Sequence, residues 1–223
     1  MDIKTDLKKE FIELMLSANA LKFGDFIAKS GRPTPYFINF GSFRTGAQIS
    51  RLGDMYARLI ADSGETPDVL FGPAYKGIPL CVAAAGSLWR NHGRDIPYCF
   101  DRKEAKDHGE GGMIVGHTPV SGERVAIIED VTTAGTSVRG TNALLRDTMG
   151  LDVKISALYV AVDRCERGAG EQLALDELKS KYDINIYPIV TAWDIVEYLP
   201  RGDKRRAAIE AYLEEYGAGA PRG

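Results

Sequence analysis

Apolar positions along the chain follow two periods that alternate from one segment to the next. Ile3, Leu7, Phe11 and Leu14 fall four, four and three apart, as on one face of an amphipathic helix. From Leu21 to Gly41 short apolar pieces are cut by Gly24-Asp25, Ser30-Gly31, Pro33 and Pro35, which predicts a small β-hairpin hood. Thr45 is placed to cap a helix that carries Ile49, Leu52, Tyr56, Leu59 and Ile60 and stops at Gly64.

Beyond this point strands and helices take turns. Continuous apolar runs at 68–72, 97–100, 124–130, 153–163 and 184–190 read as short buried strands. Helical spacing fills 76–89, 135–147, 170–182, 192–199 and 203–217. Buried strands alternating with helices predict an α/β fold with a parallel, doubly wound sheet covered on both faces. The expectation is one domain over 1–217, with 1–44 as an N-terminal helix and hood, and with 218–223 as a disordered tail. The stretch 101–117 breaks the alternation, with four glycines, seven formal charges and hardly any apolar residues. Its composition suits a mobile lid over a charged ligand.

Composition changes this picture little. The 223 residues carry 28 basic and 31 acidic side chains, a balance of −3 that gives no reason to expect nucleic acid as partner. Cys81, Cys99 and Cys165 are odd in number and far apart, so they read as small core residues rather than a disulfide or metal framework. The N-terminus is charged where a signal peptide would be apolar, and no run is long enough to span a bilayer. The expectation is a cytoplasmic protein without a membrane partner.

The sharpest chemical signal lies at 125–137. An apolar strand delivers Glu129 and Asp130 at its carboxyl end, a loop of hydroxyls and Gly135 follows, and a helix then begins. That crevice is where open α/β sheets bind ligands, and a helix N-terminus with unpaired N–H groups seats a phosphate. Thr132, Thr133, Thr136 and Ser137 add donors. Carboxylates would repel a phosphate, so Glu129 and Asp130 suit a vicinal diol such as that of ribose. Neither a P-loop nor a dinucleotide glycine motif is present.

The segment IIEDVTTAGTS (127–137) resembles the phosphoribosyl diphosphate motif of the type I phosphoribosyltransferases. With FIAKSGRPTPYFINFG (26–41), LFGPAYKGIPL (70–80), PYCFDRKEAKDHGEGGMIVG (97–116) and VDRCERG (162–168), the chain is similar to the orotate phosphoribosyltransferase family up to about Tyr216. The resemblance implies transfer of a phosphoribosyl group to orotate, with Mg2+ as cofactor and a homodimer as the working form. It places Glu129, Asp130, Val131, Thr132, Thr133, Ala134, Gly135, Thr136 and Ser137 around the ribose and its 5′-phosphate. Tyr75 and Lys76 would wrap the diphosphate, joined by Lys29 from the hood. Arg102, Lys103, Lys106 and His108 would sit on a catalytic loop that crosses the dimer interface and, with Asp130, form the catalytic set. Phe37, Ile38, Thr133 and Arg164 would hold orotate. Many bacterial members have two aromatics where this chain has Phe37 and Ile38, so a stacking role for the second position is weakened. Magnesium would be held mainly by substrate and water rather than by a protein cage.

Overall fold

The computed structural model describes residues 3–28, 31–106, 112–132, 135–167 and 174–217. Helix α1 (Ile3–Ser17) precedes a hairpin of β1 (Leu21–Ile27) and β2 (Pro33–Ile38). Then come α2 (Gly46–Asp62), β3 (Val69–Phe71), α3 (Gly77–His92), β4 (Tyr98–Lys106), β5 (Gly112–Gly116) and β6 (Arg124–Thr132). The chain continues through α4 (Thr136–Asn142), β7 (Lys154–Asp163), α5 (Ala174–Tyr182), β8 (Asn185–Thr191), α6 (Ala192–Tyr198) and α7 (Lys204–Tyr216). A π-helical turn, Ala143–Thr148, extends α4.

Six strands form one sheet in the order β5-β4-β3-β6-β7-β8. All its neighbours are parallel except the β4–β5 pair at one edge. The two middle strands explain why their sequences are apolar without interruption. In β6, Ala126 and Ile128 join the large core under α1, α2, α3, α6 and α7, whereas Ile127 faces a second core with Val138 of α4 and Leu178 of α5. In β7, Ala157, Tyr159 and Ala161 face the first core, and Leu158 and Val160 face the second. Alternate residues point to opposite faces, and both faces are covered.

The hood is a separate antiparallel pair in which Leu21 lies opposite Ile38 and Lys22 opposite Phe37. Tyr36 and Ile38 enter the main core, while Phe37 turns the other way, 41% exposed and stacked on Phe26 at 5.4 Å. The three cysteines are buried and unpaired, as their sequence setting suggested. No described helix is long and apolar enough to cross a membrane.

One expectation needs correcting. The stretch 101–117 is not irregular throughout: β4 runs on to Lys106, and β5 returns antiparallel to it, with Phe100 opposite Val115 and Asp101 opposite Ile114. An edge hairpin satisfies its backbone whatever its side chains, and among the described side chains here only Ile114 and Cys99 are buried. Hydrophobic periodicity has little to register in such a pair. The centre of the expected lid, 107–111, lies outside the described residues, as does the tail 218–223.

The start of α2 is fixed as its sequence indicated. Thr45 Oγ1 accepts from the Gln48 amide, and the Gln48 side chain accepts from the Thr45 amide, closing a capping box. Thr45→Ala is expected to cost about 1 kcal/mol, seen as a lower urea midpoint at unchanged slope.

Candidate active site

The carboxyl end of β6 and the start of α4 build one wall of a cleft of about 510 Å³. Glu129, Thr136 and Ser137 line it, facing Pro73 and Ala74 of the β3–α3 turn and Asp101 and Arg102 of β4. Gly135 makes the turn into α4 with φ +62°, in the left-handed region, and no side chain fits there because a Cβ would meet Leu178 Cδ1 at 1.9 Å. The helix start has no side-chain cap, so its N–H groups remain available to a ligand.

The two acids differ in their surroundings. Glu129 accepts a short hydrogen bond from Ser137 Oγ, and its carbonyl accepts from Tyr56 Oη of α2 at 2.5 Å. Burial raises the Glu129 carboxyl from the usual 4.5 to about 7, against the pull of the Ser137 hydroxyl. Asp130 lies deeper, 8% exposed, and pairs with Lys76 Nζ at 3.1 Å.

The β3–α3 turn is tied to β4, because Asp101 Oδ1 accepts from the Ala74 amide at 2.6 Å. Beside it, Arg102 Nε is buried without a hydrogen-bond partner among the described residues, an unpaired donor at the rim of the cleft. Tyr75, 71% exposed, and Lys76 line a neighbouring hollow of about 480 Å³ with Phe40, Phe43 and Arg44. Among the described residues no group of three or more His, Cys, Asp or Glu is arranged to hold a metal ion alone.

The other expected site residues are placed as follows. Val131 packs against the main core. Lys103, Lys106 and Thr132 lie on β4 and β6, where only the backbone is described. Lys29, His108, Thr133 and Ala134 lie outside the described residues. Phe37, Ile38 and Arg164 line neither hollow. Register nevertheless brings Arg164 to the same end of the sheet, since Thr132 pairs with Asp163 and Arg164 follows directly. The Ile38 side chain is buried in the core. Three contributors escaped the sequence reading: Tyr56, Asp101 and Glu166, the last paired with Arg164 at 2.6 Å. The nearby acid in VDRCERG was the one visible hint for Glu166.

A doubly wound sheet with two acids, a hydroxyl-rich turn and an uncapped helix start at one strand end defines a phosphoribosyltransferase. A family model, the phosphoribosyl transferase domain, matches residues 44–195. An orotate phosphoribosyltransferase of Lachnoclostridium phytofermentans is 50% identical, covering 96% of this chain and 98% of its own length. One from Proteus mirabilis is 45% identical, over 94% of this chain and 97% of its own. The solved orotate phosphoribosyltransferase of Francisella tularensis superposes with a TM-score of 0.81 at 37% identity, covering 93% of this chain and 95% of that one. The chain belongs to the orotate phosphoribosyltransferase family.

The folded protein binds the Glu129 proton more tightly than the unfolded chain does. Stability from this group is full below about pH 4.5 and is lost as pH rises through about 7. Glu129→Gln, which cannot ionise, should gain melting temperature on the wild type between pH 5 and pH 8. A constant difference across that range would show a normally titrating carboxyl.

Proposed function

We propose the following division of labour for the family's reaction, transfer of the 5-phosphoribosyl group from phosphoribosyl diphosphate to N1 of orotate, which yields orotidine 5′-monophosphate and diphosphate. The observation that carries it is the joint presence of Glu129 and the open start of α4 around one cleft, with Asp130 beside them paired to Lys76. Glu129 and Asp130 accept hydrogen bonds from the ribose diol. The first amides of α4, with Thr132, Thr133, Thr136 and Ser137, take the 5′-phosphate, and Val131, Ala134 and Gly135 supply backbone. Tyr75, Lys76 and Lys29 meet the diphosphate.

Positive charge develops at C1 of the ribose and negative charge on the leaving diphosphate. The protein's task is therefore positioning and charge stabilisation rather than covalent attack. Arg102, Lys103, Lys106 and His108 bring cationic and hydrogen-bonding groups to the leaving group, and the unpaired Arg102 Nε at the cleft rim supports that role. Closure of the 101–117 segment excludes water and limits hydrolysis. Arg164 and Thr133 anchor orotate, with Phe37 against its ring and the backbone of Ile38 beside it.

The donor set suits magnesium. Two adjacent hard carboxylates, with no group of three such ligands among the described residues, match an ion that takes most of its oxygens from substrate and water. Glu129 and Asp130 would hold such an ion, which would supply charge neutralisation for the leaving diphosphate. We further assign a homodimer with the loop crossing the interface. Trp89, 60% exposed, and Val82, 40% exposed, stand seven apart on α3 and offer an apolar stripe for a second copy. A reducing cytoplasmic setting suits the three buried thiols.

Absorbance assays offering orotate, uracil and purine bases with phosphoribosyl diphosphate should show turnover of orotate alone, abolished by chelating magnesium. Lys106→Ala should lower kcat by about 10²–10³ while changing orotate binding far less. Wild-type activity in that variant would remove the loop lysine from the mechanism.

A further inference from the structure

Arg164 sits in a cage whose other members have no part in the mechanism above. Its Nε donates to Glu166 Oε1 at 2.6 Å, and the two side chains are only 9% and 8% exposed. The same Glu166 oxygen accepts from Tyr212 Oη at 2.7 Å. Arg164 Nη2 donates to Thr34 Oγ1 at 3.2 Å and lies 3.5 Å from Tyr212 Oη. The guanidinium stacks over the Tyr36 ring, 4.5 Å from its centre. Four segments thereby meet: β2 of the hood, the residues after β7, α7, and the chain just beyond α7. Backbone closes the same junction, since Glu166 bridges to Gly217 and the Arg167 amide donates to Tyr216 O at 3.0 Å.

A buried ion pair loses much of its Coulomb gain to desolvation, so this arrangement is better explained by orientation than by stability. Nε and Nη2 are engaged, while Nη1 carries no hydrogen bond among the described residues. A planar guanidinium fixed on two of its nitrogens has one direction left for an incoming carboxylate. A base without a carboxylate would leave that donor unpaired, which penalises it.

We propose that Glu166 and Tyr212 are positioning residues for base recognition, holding Arg164 so that its Nη1 edge meets the carboxylate of orotate, and that α7 is thereby part of the specificity machinery. The proposal rests on the assignment of Arg164 to the base given above. Neither residue touches the reacting atoms, so the expected signature is selective.

The experiment is steady-state kinetics of Glu166→Gln and Tyr212→Phe, each alone and in an Arg164→Ala background. Tyr212→Phe keeps the ring packing and serves if Glu166→Gln folds poorly. We expect KM for orotate to rise about tenfold in Glu166→Gln and about threefold in Tyr212→Phe, with KM for phosphoribosyl diphosphate within about twofold of wild type. In the Arg164→Ala background both increments should vanish, as they must when residues act through a common group. An unchanged orotate KM in both variants would overturn the proposal. So would parallel rises in both KM values, or increments that persist without Arg164. Failure of the wild type itself to use orotate would instead strike the functional reading.

Discussion

The active end of the sheet depends on keeping a carboxyl group where burial opposes its charge. Glu129 lies near the carboxyl end of a strand whose preceding residues are apolar on both faces, and its proton is held to about 7 as a result. Tyr56 from α2 fixes the backbone, Ser137 from α4 holds the side chain, and Lys76 at the head of α3 compensates the adjoining Asp130. Three helices are therefore anchored to one strand end. The close packing of a doubly wound sheet is what makes those anchors converge.

The same end of the molecule assembles cations from a chain that is slightly acidic overall. Two of them are already engaged. Lys76 is paired with Asp130, and Arg164 with Glu166. In these two pairs an internal carboxylate orients the cation before an anionic ligand arrives, which reduces the ordering that binding must impose. Net charge says little about such a site, because only the local arrangement meets the ligand.

Most elements were legible in the sequence because their burial is simple. β6 and β7 are apolar on both faces over most of their length and so appear as nearly unbroken runs, and Thr45 announces the start of α2 as its cap. The acids and the helix start after β6 were legible because they are contiguous. The rest depends on distance along the chain. Tyr56 and Glu129 are 73 residues apart, Ala74 and Asp101 are 27 apart, and Arg164 and Thr34 are 130 apart. No local pattern encodes those pairs. The β4–β5 hairpin escaped for another reason, since its pairing is backbone chemistry and the far half of β4, Asp101 to Lys106, is mostly charged.

The turn that enters α3 shows a different kind of constraint. A Cβ on Gly72 would lie 2.4 Å from Gly77 O, and one on Gly77 would lie 2.8 Å from Gly72 C. At Gly135 the nearest obstacle is the Leu178 side chain, which a second mutation could shorten. Between Gly72 and Gly77 the obstacle is the main chain itself, and no substitution elsewhere removes a main-chain atom. Genetic suppressors of a defect at either glycine should therefore be true revertants. The four residues between them remain open to change in their side chains, while the path of the loop that carries them does not.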